Sequence, residues 1–248
     1  MRISDINIKS NTLHFALSAM LLTLIAASAQ AQKVDKKKFE LAERRARNAA
    51  KVLSDVTALP QSEGIPVELL TKAKAIAVFP DADKITMLFM KMMKGWGLVS
   101  RRIAAGWTQP GFYGFAVIDR GWTKAKGGSP GIVMLFMNDE ILKGFEKRGV
   151  QLEGVAGPVG SIPAEDEKKI GGAGIIIYAF SEGKLRGISV EDDLSTESGI
   201  GEDNHLNEAV YGLKGRELFA GKTPEGREIP AALTEYHKVL NTLPKQGS

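Results

Sequence analysis

The sequence predicts a single α+β domain: a curved, mostly antiparallel, glycine-rich β-sheet with an N-terminal amphipathic helix and C-terminal helices. Three observations predict it. Before residue 60, apolar residues recur with a helical period. From Ala75 to Val190 they gather instead in short compact runs, the texture of strands. Finally, 19 of the 27 glycines fall between Gly95 and Gly187, where the bulges, tight turns and close backbone approaches of a bending sheet place them. A chain of 248 residues with 44% hydrophobic and 25% charged content is long and apolar enough to bury such a core.

Residues 1–31 read as an export signal. Arg2 and Lys9 form a basic start, Leu13 to Ala27 is mostly apolar, and Ala29-Gln30-Ala31 has the small-x-small pattern of a cleavage site. The apolar run falls short of the roughly 20 residues that a spanning helix needs. The mature chain is expected to begin at Gln32, with 31 basic and 28 acidic residues and a net charge of +3. That balance is too mild for nucleic-acid binding.

Over 34–59, Ala42, Ala46, Ala49, Leu53 and Val56 share one helix face, with charged residues opposite. Lys33 to Lys51 holds eight basic and three acidic residues, a local +5, so the basic charge is concentrated there. Two readings fit: a helix packed on its own domain with a solvated face, and attraction to an anionic membrane. They are compatible. A short helix follows from Pro66 towards Lys74. Ala75–Phe79 reads as a buried strand ended by Pro80. Further strands are expected at Ile85–Met90, Trp96–Ile103, Phe112–Ile118, Ile132–Phe136, Val150–Val155, Ile175–Phe180 and Arg186–Val190. Asn138-Asp139-Glu140 caps a helix through Phe145 that Gly149 ends, and late helices are expected at Asn204–Tyr211 and Pro230–Leu243.

Little in the chain points to catalysis. With no cysteine, there is no disulfide, thiolate metal site, cysteine nucleophile or lipid-modified cysteine. Only His205 and His237 remain after the signal, and neither has carboxylates or histidines at a metal-ligand spacing. No Gly-x-Ser-x-Gly elbow occurs. Glu191-Asp192-Asp193 are adjacent on a strand end, where neighbours point to opposite faces. Gly95-Trp96-Gly97 and Gly171-Gly172-Ala173-Gly174 complete no phosphate-cradling fingerprint. The cluster Met87, Leu88, Phe89, Met90, Met92 and Met93, interrupted by Lys84, Lys91 and Lys94, reads either as core filling or as an adaptable apolar contact whose lysines meet head groups.

Four segments resemble the SYLF domain, also called the Ysc84 actin-binding domain. They are Ile65–Leu70 with Ala73–Phe79; Gly95-Trp96-Gly97-Leu98-Val99 leading to Gly106-Trp107-Thr108-Gln109-Pro110; Leu152 to Gly160; and Tyr178–Val190 preceding Asn207 to Gly212. The resemblance spans roughly 150 residues in order. It implies a lipid-binding module and not an enzyme. Eukaryotic members bind phosphoinositides and sometimes actin; bacterial members are commonly exported, often as lipoproteins. This chain differs in lacking a lipid-attachment cysteine, in the Met-rich stretch between Phe79 and Gly95, and in the bulky Phe112-Tyr113-Gly114-Phe115.

The expected organisation is a signal over 1–31, a basic helix and linker over 32–64, a SYLF-like domain over 65–212 and a C-terminal helical extension over 213–248. The expected function is non-catalytic binding of anionic phospholipid or lipid A by an exported protein, periplasmic or secreted, peripheral to a membrane. Lys33, Lys36, Lys37, Lys38, Arg44, Arg45 and Arg47 would meet phosphates, with apolar adhesion from Phe39 and from Met92 and Met93. No cofactor or metal is expected. The alternative is a structural or protein-interaction module of the envelope that binds peptidoglycan or a protein partner and ignores lipid.

Overall fold

The computed structural model describes residues 36–87, 90–118, 129–147, 149–190 and 198–245. Helix α1 (36–57) forms as its periodicity dictates. Ala42, Ala46, Ala49, Leu53 and Val56 are all buried in one cluster. Four-atom alanine side chains let the helix axis lie close to the layer beneath it. Helix α2 (Val67–Lys72) follows, with Pro66 in the position before its first turn. Its C-terminal carbonyls are satisfied from the sheet: Arg102 donates from Nε to Ala73 O at 3.0 Å and from Nη2 to Leu70 O at 2.9 Å.

The strands are β1 (Ala75–Met87), β2 (Met90–Ile103), β3 (Gly106–Trp107), β4 (Gly111–Ile118), β5 (Gly131–Phe136), β6 (Val150–Gln151), β7 (Val155–Ala156), β8 (Ile175–Ser181), β9 (Lys184–Gly187) and β10 (Gly199–Glu202). Along the sheet they run β6-β10-β4-β2-β1-β5-β8-β7, with β3 beside β2 and β9 beside β8. All pairs are antiparallel except β7 with β8. Helices α3 (Asp139–Lys147), α4 (Glu167–Gly172), α5 (Asn204–Tyr211), α6 (Gly215–Phe219) and α7 (Ala231–Thr242) complete the chain. The fold class is the α+β one that the sequence predicts.

Two strand expectations are corrected. Pro80 does not end β1, because the register shifts between Val78 and Asp81. At that bulge two residues, Phe79 and Pro80, face Gly97 alone, so proline's missing N–H interrupts no ladder bond. The expected strands Ala75–Phe79 and Ile85–Met90 thus merge into β1, with Met90 opening β2. The expected strand Val150–Val155 instead divides into β6 and β7, which lie at opposite ends of the strand order.

That division dictates the shape. Eight strands laid flat would span on the order of 34 Å at ~4.8 Å each. Yet Gln151 and Val155 are joined by only Leu152, Glu153 and Gly154, a reach of about 14 Å when fully extended. The sheet therefore curls until its edges meet, and the bridge between Gly154 and Val190 stitches them. Val150, Leu152 and Ile200 from one edge share a cluster with Ile177 and Val190 from the other and with Phe79, Phe115 and Phe136 from the centre. This is the enclosed face. Helices α3 and α6 plug one end of it: the Phe145 ring lies 5.5 Å from Tyr113, 5.1 Å from Phe136 and 4.6 Å from Phe219. The outer face, with Ile76, Val78, Leu98, Val133 and Ile176, is covered by α1, α5 and α7 among others.

Local caps agree with this frame. Asn138 Oδ1 accepts from Ile141 N at 3.0 Å at the start of α3. Asp203 Oδ1 accepts from Leu206 N at 3.2 Å, and Gly212 closes α5 at φ 69°. Fully buried Asn207 ties α5 to the sheet by pairing with both backbone groups of Phe112, at 2.7 and 2.9 Å.

The bulge makes Gly97 indispensable. A Cβ there would stand 2.1 Å from Val78 O and 2.7 Å from Phe79 Cα, which are backbone atoms that cannot swing aside. Gly201, in the same sheet, has nothing within 4 Å of its Cβ position. In urea denaturation, Gly97→Ala is expected to lose about 3 kcal/mol and Gly201→Ala to change stability by less than about 0.5 kcal/mol.

Candidate functional site

The sequence directs attention to α1, and the structure sorts its charges into two groups. Lys33 lies outside the described residues. Lys36, Lys37 and Arg44 are exposed, whereas Lys38 and Phe39 are half-buried. Arg47 is exposed and donates from Nη2 to Glu43 Oε1 at 2.8 Å, one turn back. Lys51 pairs with Asp55 at 2.6 Å, also at the surface. Exposed pairs of this kind contribute little and leave the cation free to exchange partners.

Arg45 differs. Its Nη1 donates to Asp203 Oδ2 at 2.7 Å, and the two side chains are only 18% and 15% exposed. Its guanidinium also lies 5.0 Å from the centre of the Trp96 ring. That ring is 48% exposed and lies flat above Gly114, where a Cβ would stand 2.7 Å from it. Three layers result: glycine backbone, indole, guanidinium. Because Asp203 also caps α5, one carboxylate fixes two helices. Glu43 makes a second tie, accepting from Ala232 N at the start of α7 at 3.3 Å. Asn48 makes a third, donating to Asp81 Oδ2 at 3.2 Å. Arg45, Glu43 and Asn48 therefore set the position of α1, leaving Lys36, Lys37, Arg44, Arg47 and Lys51 on its outer side.

Met93, expected to add adhesion, is 2% exposed and packed in the enclosed cluster, because the register turns it inward beside Val117. Met92, its neighbour, is half-buried on the outer side. Sequence reasoning treated Trp96 only as part of a glycine-led strand. The glycines beside it gave no signal, since they face the other side of the sheet, towards Phe115 and the β1 bulge, and the glycine beneath the ring, Gly114, lies on β4.

His237 Nε2 sits 2.9 Å from Trp107 O, and His205 is exposed. Glu191, Asp192 and Asp193 lie outside the described residues. Among the described residues no group of three His, Asp or Glu is placed to hold a metal ion. Burial pushes the Tyr113, Tyr178, Tyr211 and Tyr236 hydroxyls above their ordinary range, away from the neutral region where an acid–base residue works. The Lys74 ammonium holds the Asp139 carboxyl below its ordinary range. A cleft of about 730 Å³ between α2 and α4 has an apolar floor of Leu69, Met137 and Ile170 and a mixed rim of Lys72, Glu68 and Glu167. Among the described residues no helix is long and apolar enough to cross a membrane.

Residues 128–243 match the family model of Ysc84, described as Las17-binding protein actin regulator. The match shows a Ysc84 (SYLF) domain over those residues. SYLF domains are binding domains, with partners such as lipids and actin-related proteins. The matched segment supplies β5 to β10 and α3 to α7; β1 to β4 complete the same sheet. No curated protein and no solved structure matches the chain.

The ion pair at Arg45 is the joint of this surface. Arg45→Ala leaves Asp203 shielded and unpaired and is expected to destabilise the SYLF domain by about 2 kcal/mol, against less than about 0.5 kcal/mol for Arg44→Ala, in thermal or urea unfolding.

Proposed function

We propose that the protein is an exported, non-catalytic lipid-binding module of the cell envelope, recruited to anionic membrane surfaces by the outer face of α1. The observation that carries this reading is the division of labour on that helix. Its alanine stripe is committed to the core, so α1 has no apolar face left for deep insertion. What it offers is charge: Lys36, Lys37, Arg44, Arg47 and Lys51 project from a helix locked at three points. Near an anionic leaflet each such cation contributes about 1 kcal/mol. Phospholipid and lipid A present the same anionic phosphate chemistry to that row. The match of residues 128–243 to a family of binding domains and the export-signal pattern over residues 1–31 support the reading.

Co-sedimentation with vesicles tests it. The processed protein is expected to bind phosphatidylglycerol-containing vesicles and not phosphatidylcholine alone, and to weaken as ionic strength rises from 0.1 M to 1 M, where the screening length falls from about 10 to about 3 Å. Replacing Lys36, Lys37, Arg44 and Arg47 together by Gln is expected to lower affinity about a hundredfold or more. Equal binding to neutral and anionic vesicles, or indifference to salt, overturns the electrostatic account.

A further inference from the structure

Strands β1 and β8 run parallel to each other on either side of β5, and their registers match: Ala75 and Ile175 both face Phe136. Each strand follows a six-residue helix, α2 or α4. Each helix ends at an alanine, Ala73 or Ala173, whose ψ of 126° or 134° turns the chain into its strand. The end of β5 is tied to both units. Lys74 N donates to Phe136 O at 2.8 Å, and Met137 N donates to Gly174 O at 2.9 Å. The two strands stand two spacings apart, about 9.6 Å. Between their helices lies the cleft of about 730 Å³, with Met137 in its lining.

The sequence of α4 keeps this gap open. Gly171 lines the cleft, and a Cβ on it or on Gly172 would meet nothing within 4 Å. Neither glycine has a positive φ. After proline, glycine is the poorest helix former, so two in a six-residue helix weaken it without a steric need. What Gly171 supplies is room. The floor beneath is apolar: Leu69 and Ile170 are buried, and Met137 and Ile162 are half-buried. The rim carries both signs of charge. Glu68 and Lys72 stand one turn apart on α2, Glu167 begins α4, and all three are exposed. Among the described residues none of the three has an ion-pair partner. Lys74, the other cation of the lining, is held by Asp139.

We propose that this cleft binds one molecule of a zwitterionic amphiphile, the class that joins an alkyl chain to a phosphate and a primary ammonium. The chain lies on Leu69, Met137, Ile162 and Ile170, where methionine adapts to its shape. The phosphate meets Lys72, and the ammonium meets Glu68 and Glu167. A wholly anionic head would face two carboxylates, and a wholly cationic head would face Lys72. The volume lies in the range of pockets that enclose most of a small ligand. The inference goes beyond the surface reading of α1. It concerns single molecules, needs no bilayer, and uses none of the charges on that helix.

Titration calorimetry with lauroyl lysophosphatidylethanolamine, kept below its micelle concentration, tests the proposal on the processed protein. One molecule is expected to bind per chain, at least tenfold more tightly than lysophosphatidylglycerol of the same chain length. Gly171→Leu fills the cleft with a better helix former. It is expected to keep or raise the melting temperature and to lower affinity at least tenfold. Lys72→Gln is expected to weaken binding about fivefold. The variant with Lys36, Lys37, Arg44 and Arg47 replaced by Gln is expected to bind the monomer as the unaltered protein does. Unchanged affinity in Gly171→Leu, or equal affinity for the two lysolipids, overturns the cleft proposal. Loss of monomer binding in the α1 variant overturns it as well, by placing the molecule on that helix. Absence of monomer binding alongside salt-sensitive vesicle binding overturns the cleft proposal and leaves the α1 reading intact.

Discussion

The shortness of the link between Gln151 and Val155 is the constraint on which the rest of the structure depends. It brings together two edges that eight strands would otherwise hold far apart, so every strand between them must twist and bend. The joint shows how tightly this is done. Strands β7 and β9 both claim the outer edge of β8, and Ile177 O accepts from Gly157 N at 3.1 Å and from Ile188 N at 3.0 Å. Where the two chains cross, a Cβ on Gly187 would stand 2.1 Å from Gly157 O. Only backbone fits there. Closure in turn creates an enclosed face, and that face fills with Phe79, Phe115, Phe136 and the Phe145–Phe219 stack. Dense packing of this kind makes the curl rigid.

A rigid curl with one plugged end gives the molecule a direction. Strand β1 enters at the α3 end, beside Phe136, and runs on past its bulge paired with β2. Helix α1 crosses the outer face beside the bulge of β1. Its alanines allow close approach, and its polar flank is used for position: Glu43 to α7, Arg45 to α5 and Trp96, Asn48 to β1. Removing Arg45 from the exposed set changes the character of the basic face. The charges left on it are those without a structural duty beyond exposed pairs along the helix itself.

Local signals explain what was legible in the sequence. The stripe Ala42, Ala46, Ala49, Leu53 and Val56 is a one-helix pattern and needs no knowledge of what it packs against. Helix α5 has its start and stop written in Asp203 and Gly212, and α7 follows Pro230. Strands β4, β5 and β8 are compact apolar runs. Elements held by distant partners were illegible. Strand β10 has one buried apolar residue, Ile200, and exists because β4 and β6 pair with it. Helix α6 begins where Glu217 accepts from Lys214 N and Glu202 from Arg216 N. Pro80 reads as a strand breaker unless Gly97, 17 residues on, is known to face it. Arg45 reads as one cation among eight, because its partner Asp203 lies 158 residues away.

The same distinction bears on how the surface works. A cluster of cations acts over roughly a Debye length and needs no shape, so composition alone reveals it. Apolar adhesion acts at contact and needs a projecting element, which only topology reveals. Long-range attraction sets how often the protein meets an anionic surface, and contact sets how long it stays. Binding held by charge alone is wholly at the mercy of salt. Apolar contact behaves differently, because burial of aliphatic and aromatic side chains is not screened by ions. A bound state held by both terms loses its electrostatic part as salt rises and keeps the apolar remainder, whereas one held by surface charge alone falls steadily towards zero.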